Sequence, residues 1–318
     1  MKALPGLRPR RIRALDVDPA SHPRGAAHLS AASGLVRVGT RFHVVADDEH
    51  HLGSFEPEPS APVELFRVFA GRLPDSKKKR KRRKPDLECL VAVPGVRGLP
   101  APALLALGSG SRPNRVRGVW IGLDAAGMPR GRVRRIDLGP LYAPLRHRFA
   151  ELNIEGAFFV AGELRLLQRG NVGDPRNACI AFAWQKVLAW LAGQADAPRP
   201  ASVREYALGA VRGVPYGFTD GAALDDGGWA FSAVAEATDD AYADAPHQGS
   251  ALGIVGADGR LRSVRRLSST WKVEGIAASA EGGATRFHFA TDADDPKRAS
   301  WLLQAQLSAS ELARPGRS

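Results

Sequence analysis

Residues 152–169 read LNIEGAFFVAGELRLLQR. The stretch holds a box, Glu155-Gly156-Ala157, and then an alternating run at 164–169 that ends in polar residues. The box pattern, an acidic or small polar residue followed by a small residue and an apolar one, recurs four more times. It stands at Ser33-Gly34-Leu35, Glu88-Cys89-Leu90, Asp220-Gly221-Ala222 and Glu274-Gly275-Ile276, with intervals of 55, 67, 65 and 54 residues between successive boxes. Polar-ended runs follow these boxes at 42–47, 104–109, 231–236 and 287–292. A third strand-like run comes next at 116–123, 178–183, 250–255 and 301–307, and a fourth at 132–138, 203–208 and 261–267. Runs of β-forming residues divided by Gly, Pro, Asp and Asn are what hairpin-connected antiparallel sheets require.

Four strands at this spacing make the unit of a β-propeller blade. The sequence is therefore expected to fold as an all-β propeller of five four-stranded blades, with six open if the stretch 97–152 hides another. The last repeat is short by one strand, and residues 11–17 precede the first box as one strand too many. Placing that N-terminal strand in the last blade closes the ring and removes an exposed sheet edge. Residues 182–193, FAWQKVLAWLAG, carry helical spacing with Val187, Leu188, Trp190 and Leu191 on one side. This predicts a short helix at the edge of the third blade. One propeller domain is expected over 11–312, with a basic loop inserted at 74–86 and frayed ends at 1–10 and 313–318.

The chain has 318 residues, 44% of them hydrophobic and 25% charged, which is enough apolar material for a sizeable core and too much for a disordered chain. No window approaches 18 uninterrupted apolar residues, so no membrane span is expected. Cys89 and Cys179 make neither a disulfide framework nor a metal-binding spacing. The N-terminus, MKALPGLRPRRIRAL, lacks the apolar stretch of a secretory signal. A reduced, cytoplasmic monomer is the expectation, with export the alternative if the natural start lies upstream. The net charge of +12 includes eight consecutive cations, KKKRKRRK, from Lys77 to Lys84, and falls to +4 without them. Such a run is expected to be a solvated arm that attracts phosphate backbones, anionic headgroups or acidic proteins, or else a self-repelling loop with no partner.

In an up-and-down blade, the start of the first strand and the end of the second lie at the same end of the sheet. The boxed acids Glu88, Glu155, Asp220 and Glu274 are thus expected to share one channel mouth with the run ends Asp47, Ser109, Arg169, Glu236 and Asp292. Carboxylates about 5 Å apart repel by about 3 kcal/mol at an effective dielectric of about 20, so something must offset them. One reading is a hard cation, Ca²⁺ or Mg²⁺, ligated by Asp47, Glu88, Glu155, Asp220, Glu274 and Asp292 and presenting water for attack. Glu155 and Glu274 would then serve as general base and Arg169 as the anion contact, with Arg112, Arg115, Asn171, Glu236 and Lys272 around the substrate. The other reading is that each acid latches its blade to the next by accepting backbone N–H groups, Gly allowing the close approach. Residues 47–51, DDEHH, offer carboxylate and imidazole ligands or an ordinary exposed loop, and 291–296, TDADDP, lack the full pattern of a Ca²⁺ loop. GxSxG, Walker A and HExxH signatures are absent.

With LNIEGA (152–157), LLQRGN (166–171), GFTDGA (217–222), KVEGI (272–276) and TDADDP (291–296) taken together, the chain resembles an uncharacterised bacterial propeller family from about residue 30 to residue 307. Its short EG boxes are also similar to those of phytase-like propellers, the group with esterase-like activity of phytase. That second likeness implies a Ca²⁺-assisted phosphoester or ester hydrolase. The expected function is a metal-assisted hydrolase acting on a small anionic or phosphorylated substrate at the channel mouth. The alternative is a non-catalytic ligand- or protein-binding scaffold whose basic arm recruits an acidic macromolecule.

Overall fold

The computed structural model describes residues 4–94, 102–171, 173–237, 247–268 and 270–314. Strand β1 (Arg10–Ala14) comes first. The first blade is β2 (Ala32–Val38), β3 (Arg41–Ala46), β4 (His51–Phe55) and β5 (Glu64–Arg67), followed by helix α1 (Lys77–Arg83). The second is β6 (Leu87–Val93), β7 (Ala103–Gly108), β8 (Arg117–Leu123) and β9 (Pro129–Asp137), with a 3₁₀ turn at Pro113–Arg115 and helix α2 (Gly139–Arg146) after it. The third is β10 (Ile154–Val160), β11 (Glu163–Gln168), β12 (Asn177–Ala183) and β13 (Ser202–Tyr206), with helix α3 (Trp184–Leu191) between its last two strands. The short β14 (Ala210–Val211) joins a fourth blade of β15 (Val214–Ala223), β16 (Trp229–Glu236), β17 (His247–Val255) and β18 (Leu261–Leu267). The fifth blade is β19 (Lys272–Glu281), β20 (Ala284–Asp292) and β21 (Trp301–Ser308), with helix α4 (Ala309–Leu312) behind it.

β1 completes that fifth blade. It pairs antiparallel with β21, Ala14 opposite Trp301 and Arg10 opposite Gln304, so the sheet edge is covered and the ring closes. The stretch 97–152 does not hide a sixth blade: β7, β8 and β9 belong to the second blade, and α2 follows them. Leu7 bridges Leu267 on the fourth blade, which brings order into a stretch expected to fray. The helix expected near 182–193 is α3, whose buried Trp184, Val187, Leu188 and Leu191 follow helical spacing. Trp184 stacks on Trp120 of β8 with ring centroids 6.4 Å apart, so α3 bridges two blades rather than capping one. No described helix is long and apolar enough to cross a membrane.

The boxes have a common local cause. Pairing between the first and second strands of every blade slips at the box: between Leu87 and Cys89, Ile154 and Gly156, and Val273 and Gly275. Each slip is a β-bulge that leaves the boxed acid unpaired and re-aims its side chain. The residue after it must be small because the next inner strand lies against it. A Cβ on Gly275 would sit 2.2 Å from the Ser33 carbonyl oxygen, and one on Gly156 would sit 2.6 Å from the Asp220 Cα. In the fourth blade the slip falls between Phe218 and Asp220, one residue earlier relative to the box. Thr219 takes the bulged place there, and Asp220 is turned deeper into the axis.

Candidate functional site

Strand starts and strand ends meet at one mouth of the channel. Glu88, Glu155 and Glu274 reach it from the bulges, and Asp47, Arg169, Glu236 and Asp292 from the ends of the second strands. Lys272 Nζ lies 3.0 Å from Glu236 Oε1, 3.2 Å from Glu274 Oε1, 3.4 Å from Asp292 Oδ2 and 3.2 Å from Asp294 Oδ1. Arg169 sits 2.6 Å from Glu236 and 3.4 Å from Glu155. Across the ring, Lys84 contacts Asp47 and lies 2.8 Å from Asp86 Oδ1, and Arg115 lies 2.8 Å from Asp86 Oδ2. Half-buried Arg169 and Lys272 are thus engaged by carboxylates of the mouth itself.

The cations do not balance the acids. Asp47, Asp86, Glu88, Glu155, Glu236, Glu274 and Asp292 outnumber Lys84, Arg115, Arg169 and Lys272 in one buried mouth. Burial pushes the Glu274 carboxyl up to about 7 against the pull of Lys272 and Arg169, and it pushes Asp47 up to about 6 against Lys84. Burial also raises Glu155 and Asp292. Asp86 and Glu236 are buried too, yet paired cations outweigh burial and hold both below the usual carboxylate range: Lys84 with Arg115, and Lys272 with Arg169.

Glu88 is the least satisfied member. It is 9% exposed, and no described residue donates a hydrogen bond to its carboxyl. Burial and the neighbouring Glu155, Asp86 and Asp47 drive its pKa well up. Asp47, Asp86 and Glu88 each offer a carboxylate oxygen, the three within 4.8 Å of one another. Asp86 Oδ1 lies 2.8 Å from Lys84 Nζ. An all-oxygen donor set is chemistry that suits a hard divalent cation, which would compete with the Lys84 ammonium for Asp47 and Asp86.

Asp220 stands apart from this ring. It is fully buried, and Oδ2 accepts the backbone N–H of Leu35 at 3.2 Å and of Ile276 at 3.1 Å while Oδ1 accepts that of Gly221 at 2.8 Å. One side chain thereby joins the first, fourth and fifth blades on the axis. Ser109 donates to Asp86 at 2.5 Å. Arg112 stays exposed before the 3₁₀ turn, and Asn171 donates to Glu151 at 3.0 Å beside Arg169. The acids and imidazoles of 47–51 are spread over separate partners: Asp48 pairs with Arg80 at 2.8 Å, Glu49 with His22 at 3.1 Å and with Arg24, and His50 lies over Phe69. At 292–294, the Asp294 backbone N–H closes a turn on Asp292 Oδ1 at 2.7 Å.

The expected solvated arm is instead helix α1, docked on the mouth. Its charge run does not simply repel itself, because Arg80 and Lys84, one helical turn apart, point into the acids of two blades. Sequence reasoning left three members of the network unplaced: Asp86 and Asn153, which donates to Glu155, were not singled out, and Lys84 was read only as part of the run. A signal for two of them was present. Asp86, Asn153 and Lys272 each stand two residues before a boxed acid, and in an extended strand such residues share a face.

Comparison with known proteins gives the fold company but no activity. No curated protein matches the sequence. Among solved structures, a glutaminyl cyclase from Myxococcus xanthus is similar at 12% identity and a TM-score of 0.50, covering 95% of this chain and 100% of that one. A GH32 β-fructofuranosidase from Bombyx mori is similar at 10% identity and a TM-score of 0.50, covering 95% of this chain; the chain spans 63% of that protein. At such identity both show the fold alone. The phytase-like resemblance finds no support in these matches and rests on its short boxes. A family model, "Family of unknown function (DUF6929)", matches residues 28–307, from the segment before β2 almost to the end of β21. The chain belongs to this family of unknown function.

Proposed function

We propose that the channel mouth binds a divalent cation, Ca²⁺ or Mg²⁺, through Asp47, Asp86 and Glu88, and that this centre serves hydrolysis of a small anionic substrate. The observation that carries the reading is Glu88, a buried carboxyl with acidic neighbours and no hydrogen-bond donor, a few ångströms from two further carboxylates. Bound there, the ion would polarise a phosphoryl or carbonyl oxygen and lower the pKa of a water. The chain's own residues supply the rest. A cleft beside these carboxylates is lined by Lys77, Arg80, Lys81 and Lys84 together with Asp47, Asp48, Asp292, Asp294 and Asp295, so an anion entering it would meet both signs of charge. Glu274, with its carboxyl near 7, is suited to hold or release a proton at neutral pH. Arg169 orients Glu155 and Glu236 rather than waiting open for an anion.

A second reading is favoured by α1 itself. Arg80 and Lys84 already fill part of the mouth, as a non-catalytic scaffold with a self-closed channel would have them. Calorimetry with Ca²⁺, Mg²⁺ and Mn²⁺, followed by turnover of p-nitrophenyl phosphate and p-nitrophenyl butyrate, separates the two. The hydrolase reading expects one saturable site, lost in a folded Glu88→Gln variant, and metal-dependent turnover. Binding without turnover leaves the scaffold, and no binding at millimolar metal overturns the centre.

A further inference from the structure

The charge of this chain sits in one sector. Between Lys77 and Leu138, 16 Lys and Arg residues face 4 Asp and Glu, a balance of +12, and the balance of the entire chain is also +12. The rest of the chain sums to zero. The sector consists of α1 and the second blade.

α1 divides its cations by face. Arg80 and Lys84 turn inward to the acids, while Lys78, Lys79, Arg82 and Arg83 are exposed and form no ion pair among the described residues. The helix is held in place: Arg115 donates to the Lys81 carbonyl at 3.3 Å and Asn114 to that of Lys84 at 3.3 Å. Its outward face is therefore a fixed surface. β9, the outermost strand of the same blade, adds Arg130 and Arg132 on the outer edge, toward the end paired with Gly122 and away from α1, both exposed and likewise without an ion pair among the described residues. Arg117 and Arg135 line the cleft at the upper end of that edge. The strand bulges at Gly131, so Arg130 and Arg135 lie opposite Gly122 and Val119 and are about 10 Å apart along the edge, a length over which duplex DNA carries about six phosphates.

We propose that the outward face of α1 and the β9 edge form a sequence-independent interface for the phosphate backbone of duplex DNA. Guanidinium forks fit phosphate oxygens in pairs. α1 has no apolar residue with which to enter a lipid surface. The one aromatic residue of the sector, Trp120, is buried, so no platform exists for stacking single-stranded bases. The interface uses none of the mouth carboxylates, so its failure and that of the metal centre are separate events.

The test is fluorescence anisotropy of the full chain with a labelled 24-base-pair duplex of mixed sequence, between 50 and 200 mM KCl, with Lys78→Gln/Lys79→Gln and Arg130→Gln/Arg132→Gln as paired variants. Only exposed side chains change, and thermal unfolding confirms that both variants fold. The logarithm of the affinity is expected to fall against the logarithm of salt with a slope of about −5. Each double variant should flatten that slope by about 2 and weaken binding by roughly tenfold or more near 0.1 M salt. Absence of binding at 50 mM KCl overturns the interface, as does an Arg130→Gln/Arg132→Gln variant that binds like the parent. Tighter binding to phosphatidylserine vesicles, to poly-glutamate or to a duplex RNA of the same length overturns it in favour of that partner.

Discussion

Asp220 of the fourth blade accepts the backbone N–H of Leu35 in the first, at 3.2 Å, although those two blades are not neighbours in the ring. The same carboxyl takes the N–H of Ile276 at 3.1 Å, so it pins the axis from inside. Every neighbour it bonds is a donor, and two acceptor oxygens are needed. Asp220→Asn turns one of those oxygens into a second donor aimed at backbone N–H groups, and Asp220→Ala leaves the donors buried without partners. A loss of about 2–4 kcal/mol is expected for either, measured by urea unfolding. If Asp220→Asn unfolds at the parent's midpoint, the axial latch is not a stabilising element.

Acid and base work in opposite directions at the mouth. Glu274, facing Lys272, Arg169, Glu155 and Glu236, has its carboxyl raised from 4.5 to about 7. The folded chain then keeps a proton that the unfolded chain releases between those values, so this group makes stability fall as pH rises from about 4.5 to about 7. Glu236 and Asp86, held below their ordinary values, contribute the other way, with stability lost as pH drops below the ordinary carboxylate range. The chain is therefore expected to be most stable near pH 5. Glu274→Gln should remove up to about 3 kcal/mol of the decline between pH 5 and 7.5. Unfolding curves at four pH values check this, and an unchanged slope in Glu274→Gln disproves the assignment.

The ring was legible because its cause is local. A bulge with a small residue after it repeats in sequence wherever an inner strand meets the next, and the spare strand at 11–17 matched the missing one after β21. What escaped depends on contacts between blades. Asp220 aligns with Glu155 in the box, yet its strand bulges at Thr219, and pairing to β16 decides that. Residues 77–84 look self-repelling until Asp47, Asp48 and Asp86, drawn from two blades, are placed beside them. Charge patterning along a chain cannot reveal a counter-charge that only the closed ring assembles.

Lys84 offers the sharpest test of the mouth, because it stands where a divalent cation would compete. Burial works against its charge, yet Asp47, Asp86 and Glu88 together drive its pKa well up. Lys84→Met leaves Asp47 and Glu88 without their cation and Asp86 with Arg115 alone, and is expected to cost about 3–5 kcal/mol in metal-free buffer. The cost should be larger at pH 8 than at pH 5.5, where protons can neutralise the acids. Mg²⁺ or Ca²⁺ should then restore the variant more than it stabilises the parent, since removing the ammonium frees the oxygens. Metal at about 100 times its dissociation constant returns about 2.7 kcal/mol. Thermal unfolding with and without 5 mM metal reads both effects. A variant that loses stability but gains no more from metal than the parent shows that the three carboxylates hold Lys84 and nothing else.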